Sequence, residues 1–138
     1  NVTFAKTNTT SETNTTSETN MTQSPCTGAL HPHDEGFVGS CYKGSKNVFL
    51  VGTLKEKFKI KSWDFETNKG TMDIEMSGVA NEDIHDAAFE FPANSRTITA
   101  SGKQGKLTES WCDDQKKFQV KLDAGIINIG FDLKQCDC

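Results

Sequence analysis

From residue 47 onward, the dominant period of the apolar side chains is two. That period of two, rather than the 3.6 of a helix, limits what the chain can fold into. Met72, Ile74 and Met76 share one face of a segment whose other face carries Asp73 and Glu75. Phe118, Val120 and Leu122 alternate with Lys117, Gln119 and Lys121, and Ile127, Ile129, Phe131 and Leu133 follow the same rule. Each pattern describes a strand with one face in a core and the other in water. Residues 48–51 are continuously apolar and predict a strand buried on both faces. In KFKIKSWDFE the apolar positions change from even (Phe58, Ile60) to odd (Trp63, Phe65), which predicts a bulge near Lys61 and Ser62.

Turn residues separate these segments: Asn68-Lys69-Gly70, residues 102–105, residues 113–116 and Asp123-Ala124-Gly125, with Pro92-Ala93-Asn94 as a further break. One helical turn is expected over residues 81–88, where Asn81 caps and Glu82 and Asp83 occupy the first positions. Residues 26–46, with Gly28, Gly36, Gly39, Gly44 and Pro32, read as a loop-rich lead-in pinned by two cysteines. The expected fold is all-β: a small antiparallel β-sandwich or barrel of about eight short strands, preceded by a disordered N-terminal tail.

That tail, residues 1–25, repeats one polar phrase in TNTTSETNTTSETNMTQS. Its few apolar side chains cannot offset an ordering cost of about 1–2 kcal/mol per residue. Asn1, Asn8, Asn14 and Asn20 each stand two residues before a Thr with no Pro between, so all four are N-glycosylation acceptors by pattern. Thr and Ser there are also suited to O-glycans. The remaining residues, 26–138, suit one domain.

Cys26, Cys41, Cys112, Cys136 and Cys138 are an odd set. In a secreted chain most pair, leaving one free or joining two chains. Cys136 and Cys138 are too close to bridge each other without strain, so each is expected to reach back to Cys26, Cys41 or Cys112. The start on Asn rather than Met suggests a removed signal peptide and a secreted, extracellular protein.

A net charge of −4 argues against a nucleic-acid partner, and no apolar run approaches the length of a membrane span. Phosphate-loop, dinucleotide, serine-hydrolase and zinc-protease patterns are all missing, so the expectation is a non-enzymatic protein with no cofactor. His31-Pro32-His33-Asp34-Glu35 gathers metal-ligand types, but its spacing reads as a polar loop and no metal site is assigned. His85, beside Asp83 and Asp86, reads as solvated surface. Lys55, Lys57, Lys59 and Lys61 share a strand face opposite Phe58 and Ile60. They suit an acidic partner or a sulfated glycan, or else guard an edge strand. Trp63, Trp111 and nine phenylalanines supply a core, with a surplus able to line a cavity or anchor a partner.

The build resembles secreted effectors of saliva, venom or parasite secretions: a glycan-bearing tail on a small disulfide-tied β domain. The expected function is binding of an extracellular protein partner, such as a host immune or haemostatic factor. The alternative is a carrier of a lipid or small hydrophobic ligand in a barrel cavity.

Overall fold

The computed structural model describes residues 4–5, 25–48, 50–79, 81–102, 105–125 and 127–138. Its strands are β1 (Phe4–Ala5), β2 (Cys41–Val48), β3 (Gly52–Asp64), β4 (Lys69–Gly78), β5 (Glu82–Glu90), β6 (Thr97–Gly102), β7 (Gly105–Cys112), β8 (Lys117–Ala124) and β9 (Ile127–Cys136). All pairs are antiparallel, in the order β1-β6-β7-β8-β9-β2-β3-β4-β5. The eight strands β2–β9 form an up-and-down meander in which the last strand pairs with the first. Cys41 faces Cys136, Tyr42 faces Gln135 and Lys43 faces Lys134. That pairing makes a nearly closed barrel rather than a sandwich. The seam left between β5 and β6 is where β1 lies, paired to β6 and against β5.

Alternation is obeyed inside. Tyr42, Leu54, Phe58, Ile60, Met72, Ile74, Ile98, Trp111, Phe118, Val120, Phe131 and Leu133 are buried. The bulge near Lys61 and Ser62 is present: Ile60 faces Met72, but Ser62 faces Thr71, which brings Trp63 back to the interior. Gly70 meets the bulge, where a Cβ would press on the Ser62 carbonyl oxygen. Gly44 is needed at the closure, because a Cβ there would strike the Asp132 carbonyl oxygen.

Four expectations about strands and turns are corrected. Residues 48–51 are not a doubly buried strand: Val48 ends β2 half-buried, and Leu50 and Val51 are exposed in the hairpin turn. A turn between two antiparallel strands must project from the barrel, whatever its polarity. Residues 81–88 are not helical but enter β5. There Ile74 faces Ile84 while Met72 faces Ala87, so a bulge puts Ile84 and Ala87 on one face three residues apart, which imitates helical spacing. Residues 41–46 of the lead-in are the first half of β2. Finally, β3 has neighbours on both sides, so its lysines guard no edge.

Within residues 1–25, expected to be a tail, Phe4 and Ala5 form β1; residues 1–3 and 6–24, with Asn1, Asn8, Asn14 and Asn20, lie outside the described residues. Disulfides join Cys26 to Cys112 and Cys41 to Cys138, across 86 and 97 residues of sequence. Loops of that length correspond to about 4–5 kcal/mol each in the loop-entropy account. Cys138 reaches back as expected, but Cys136, expected to do the same, is a free thiol, because Cys41 and Cys112 are already taken by Cys138 and Cys26.

One end of the barrel is stoppered. A 3-10 turn over Glu35–Phe37, capped by the Asp34 carboxylate accepting from the Gly36 N–H at 3.1 Å, drives Phe37 inward. Its ring meets Trp63 and Trp111 edge-on at 5.3 and 5.5 Å between centroids. The Gly39 N–H donates to the Ile60 carbonyl at 2.8 Å, and the Ile60 N–H returns to the Ser40 carbonyl at 3.0 Å. Ser40 Oγ donates to the Phe37 carbonyl at 2.6 Å and lies 2.9 Å from Tyr42 Oη. Phe37→Ala should therefore cost about 3–5 kcal/mol. Val38→Ala, at a side chain 43% exposed, should cost under about 0.5 kcal/mol. Urea unfolding of both variants checks this; equal midpoints would show that the stopper does not carry the core.

Candidate functional site

The two ends of the interior are filled differently. At the stoppered end, aromatic rings interlock. Phe118 meets Trp111, Tyr42 and Phe58 at 5.1, 5.2 and 5.5 Å, and Trp63 stacks on Phe89 at 5.6 Å. At the other end, where the β2–β3, β4–β5, β6–β7 and β8–β9 turns lie, the inward side chains Val48, Met76, Ile84, Leu107, Leu122 and Ile129 are only partly buried. This end is the mouth.

Between mouth and aromatic floor stand two carboxylates. On β3 the inward series is Leu54, Glu56, Phe58 and Ile60; on β7 it is Leu107, Glu109 and Trp111. Each glutamate takes an apolar position in its strand's alternation, one inward step toward the mouth from the floor. Glu56 is 3% exposed and Glu109 is fully buried. Register places Glu56 between Gly44 and Met76, and Glu109 between Ile98 and Val120. Among the described residues, none of their four carboxyl oxygens has a hydrogen-bond partner.

Such a group is costly. A carboxylate without water, donor or counter-ion takes a proton instead of its charge. Burial pushes Glu56 up to about 8. Burial first, and then the charge of Glu56, push Glu109 well above the carboxylate range. Among the described residues no Lys, Arg or His acts on either group. The interior thus holds two acids that interact with each other and with nothing else polar in the described chain. A cation entering from the mouth would convert both from a liability into a binding site.

The other candidate residues serve the frame. His31 Nε2 donates to the Pro92 and Ser95 carbonyls at 2.7 and 3.1 Å and fastens the lead-in to the β5–β6 connection. His33 lies 3.5 Å from Asp113, whose other partners include Trp111 Nε1 and Lys116. His85 sits 3.7 Å from both Asp73 and Asp83 on the outer surface. The lysine row is divided. Lys61 is 3.6 Å from Asp73 and from Asp86, and Lys59 and Lys57 face Asp73 and Glu75 across β4. The Asp86 N–H first, and then Lys61 and His85, hold the Asp73 carboxyl below its usual range.

No known protein family, curated protein or solved structure matches the chain. The site therefore rests on its own geometry. The clue in the sequence was a glutamate in the inward register of two otherwise apolar series, 54–60 and 107–111. No helix among the described residues is long and apolar enough to cross a membrane.

A carboxyl raised in the folded state keeps its proton where the unfolded chain has lost it. Between the ordinary value of 4.5 and about 8, the native protein binds more protons than the unfolded one, so stability falls as pH rises. Glu56→Gln should then stabilise the unliganded protein at pH 8 by about 1–3 kcal/mol, a rise in Tm on the order of 5–10 °C. Near pH 4.5 it should change little. Thermal melts at the two pH values decide; a lower Tm at pH 8 would contradict the assignment.

Proposed function

We propose that this protein is a secreted, non-enzymatic carrier that encloses a small organic cation, with a hydrophobic body and a protonated amine, inside its barrel. The supporting observation is the pair of buried, unpartnered carboxylates Glu56 and Glu109 below a half-exposed apolar mouth. The ammonium would lie between the carboxyl groups, and the body would pack on Met76, Ile98 and Val120 toward Leu107, Leu122 and Ile129. A charge-assisted hydrogen bond in such a site contributes about 1.5–3 kcal/mol. A fatty acid would add a third carboxyl to the two present, which disfavours it.

Two disulfides fit an oxidising compartment, and the acceptor pattern at Asn1, Asn8, Asn14 and Asn20 fits a secreted glycoprotein. Binding a host mediator by sequestration would suit an effector of saliva, venom or parasite secretions. This reading puts the enclosed ligand ahead of the protein partner. The partner reading retains the apolar mouth tips, where Leu50 is 89% and Val51 51% exposed.

The measurement is calorimetric titration of the full chain with an arylalkylamine, its isosteric alcohol and its isosteric carboxylic acid. The amine should bind at least about tenfold more tightly than the alcohol. Its affinity should rise from pH 5 to pH 8 as Glu56 gives up its proton, and Glu56→Gln and Glu109→Gln should each weaken it. Equal binding of alcohol and amine, or preference for the acid, would falsify the proposal.

A further inference from the structure

The outer wall carries one patch in which like charges are stacked instead of alternated. Register sets Lys134 of β9 beside Lys43 of β2, and Lys43 beside Lys57 of β3. Lys55 and Lys59 share the outward face of β3, two residues on either side of Lys57. Lys43, Lys55, Lys59 and Lys134 are exposed and Lys57 is half-buried. The row runs on to Lys117 of β8, which faces Lys134, and it ends at β4, where Glu75 faces Lys57 and Asp73 faces Lys59. Among the described residues, the ion pairs closer than 4 Å on this wall belong to other lysines. Asp132 holds Lys117 at 2.8 Å, and Asp73 holds Lys61 at 3.6 Å.

Adjacent strands are about 4.8 Å apart, so the row Lys134, Lys43, Lys57 spans about 10 Å of wall. Like charges directly opposite one another destabilise a sheet. These strands form the closure of the barrel, where no edge needs guarding. The repulsion sits in a protein whose net charge is −4, so the cationic field is local and directed outward.

We propose that the patch of Lys43, Lys57 and Lys134, flanked by Lys55 and Lys59, is a binding site for a sulfated polysaccharide. The side chains select this occupant. All five are lysines, with no aromatic to stack on a base and no aliphatic tip to enter lipid. Ammonium groups act as point charges that suit sulfates without demanding bidentate geometry. The wall is convex, and a flexible linear polyanion conforms to it where a flat bilayer touches along a line. The site is independent of the interior, so a carrier anchored here keeps its mouth free.

The experiment is titration of the full chain with heparin oligosaccharides. Binding is expected at about 0.15 M salt and should weaken steeply as salt rises. K43Q/K57Q/K134Q should bind about 100-fold more weakly, from three lost cation contacts. K43R/K57R/K134R should retain binding, and so should the control K106Q/K121Q on β7 and β8. Thermal melts confirm that each variant is folded; if the glutamine variant is not, retained binding by the arginine variant and salt-sensitive competition by free sulfated disaccharides carry the test. No heparin binding by the unaltered protein overturns the proposal. So does equal loss in the control, or tighter binding to phosphatidylserine vesicles or to a single-stranded oligonucleotide than to heparin.

Discussion

Three residue pairs, Cys41 with Cys136, Tyr42 with Gln135 and Lys43 with Lys134, turn a meander into a tube. Without them β2 and β9 would be open edges, and the inward faces of eight strands would need a second layer. With them, one sheet covers its own core. The pairing occurs at the stoppered end, where the Cys41–Cys138 bridge ties the chain's end to the same strand. Gly44 allows the two backbones to stay close just beyond the last pair. Closing long loops between distant strands is entropically expensive, and the two bridges remove part of that cost from the unfolded chain.

Closure also creates the asymmetry on which the functional reading depends. Phe37, Trp63, Trp111, Phe118 and Tyr42 fill one end so completely that each is almost fully buried. Six aliphatic and thioether side chains line the other end and remain partly exposed. Glu56 and Glu109 stand between the aromatic end and these side chains along β3 and β7. Had they stood at the rim, water would have kept them ordinary carboxylates. Burial makes them two acids that hold protons, and it also makes a cation the natural partner for them.

Much of the fold was legible because strand alternation is a local property. The phase change at Lys61 and Ser62 announced a bulge, and the glycine and asparagine turns announced most strand ends. The failures share one cause. At residues 81–88 a second bulge, with Asp86 at φ 56 and its N–H donating to the Asp73 carboxylate at 3.0 Å, gave a strand the spacing of a helix. At residues 48–51 an apolar run crossed a turn. In both places the neighbouring strand determined the conformation, and a neighbour is not visible in a local window. The site was legible only in outline: a glutamate in an apolar register raises a question, but one glutamate could not reveal the other.

The sequence by itself determined an all-β body of about eight strands, the polar character of its leader and the cysteines available to tie it. These follow from side-chain period, turn chemistry and composition, which act over a few residues. Tertiary structure alone decided that the sheet closes as a barrel, that Cys138 bonds to Cys41 while Cys136 stays free, and that Glu56 and Glu109 share one interior. It also decided that Lys43, Lys57 and Lys134 stand in one row. Each of these joins residues from different strands, and their separation in space depends on register and closure rather than on distance along the chain.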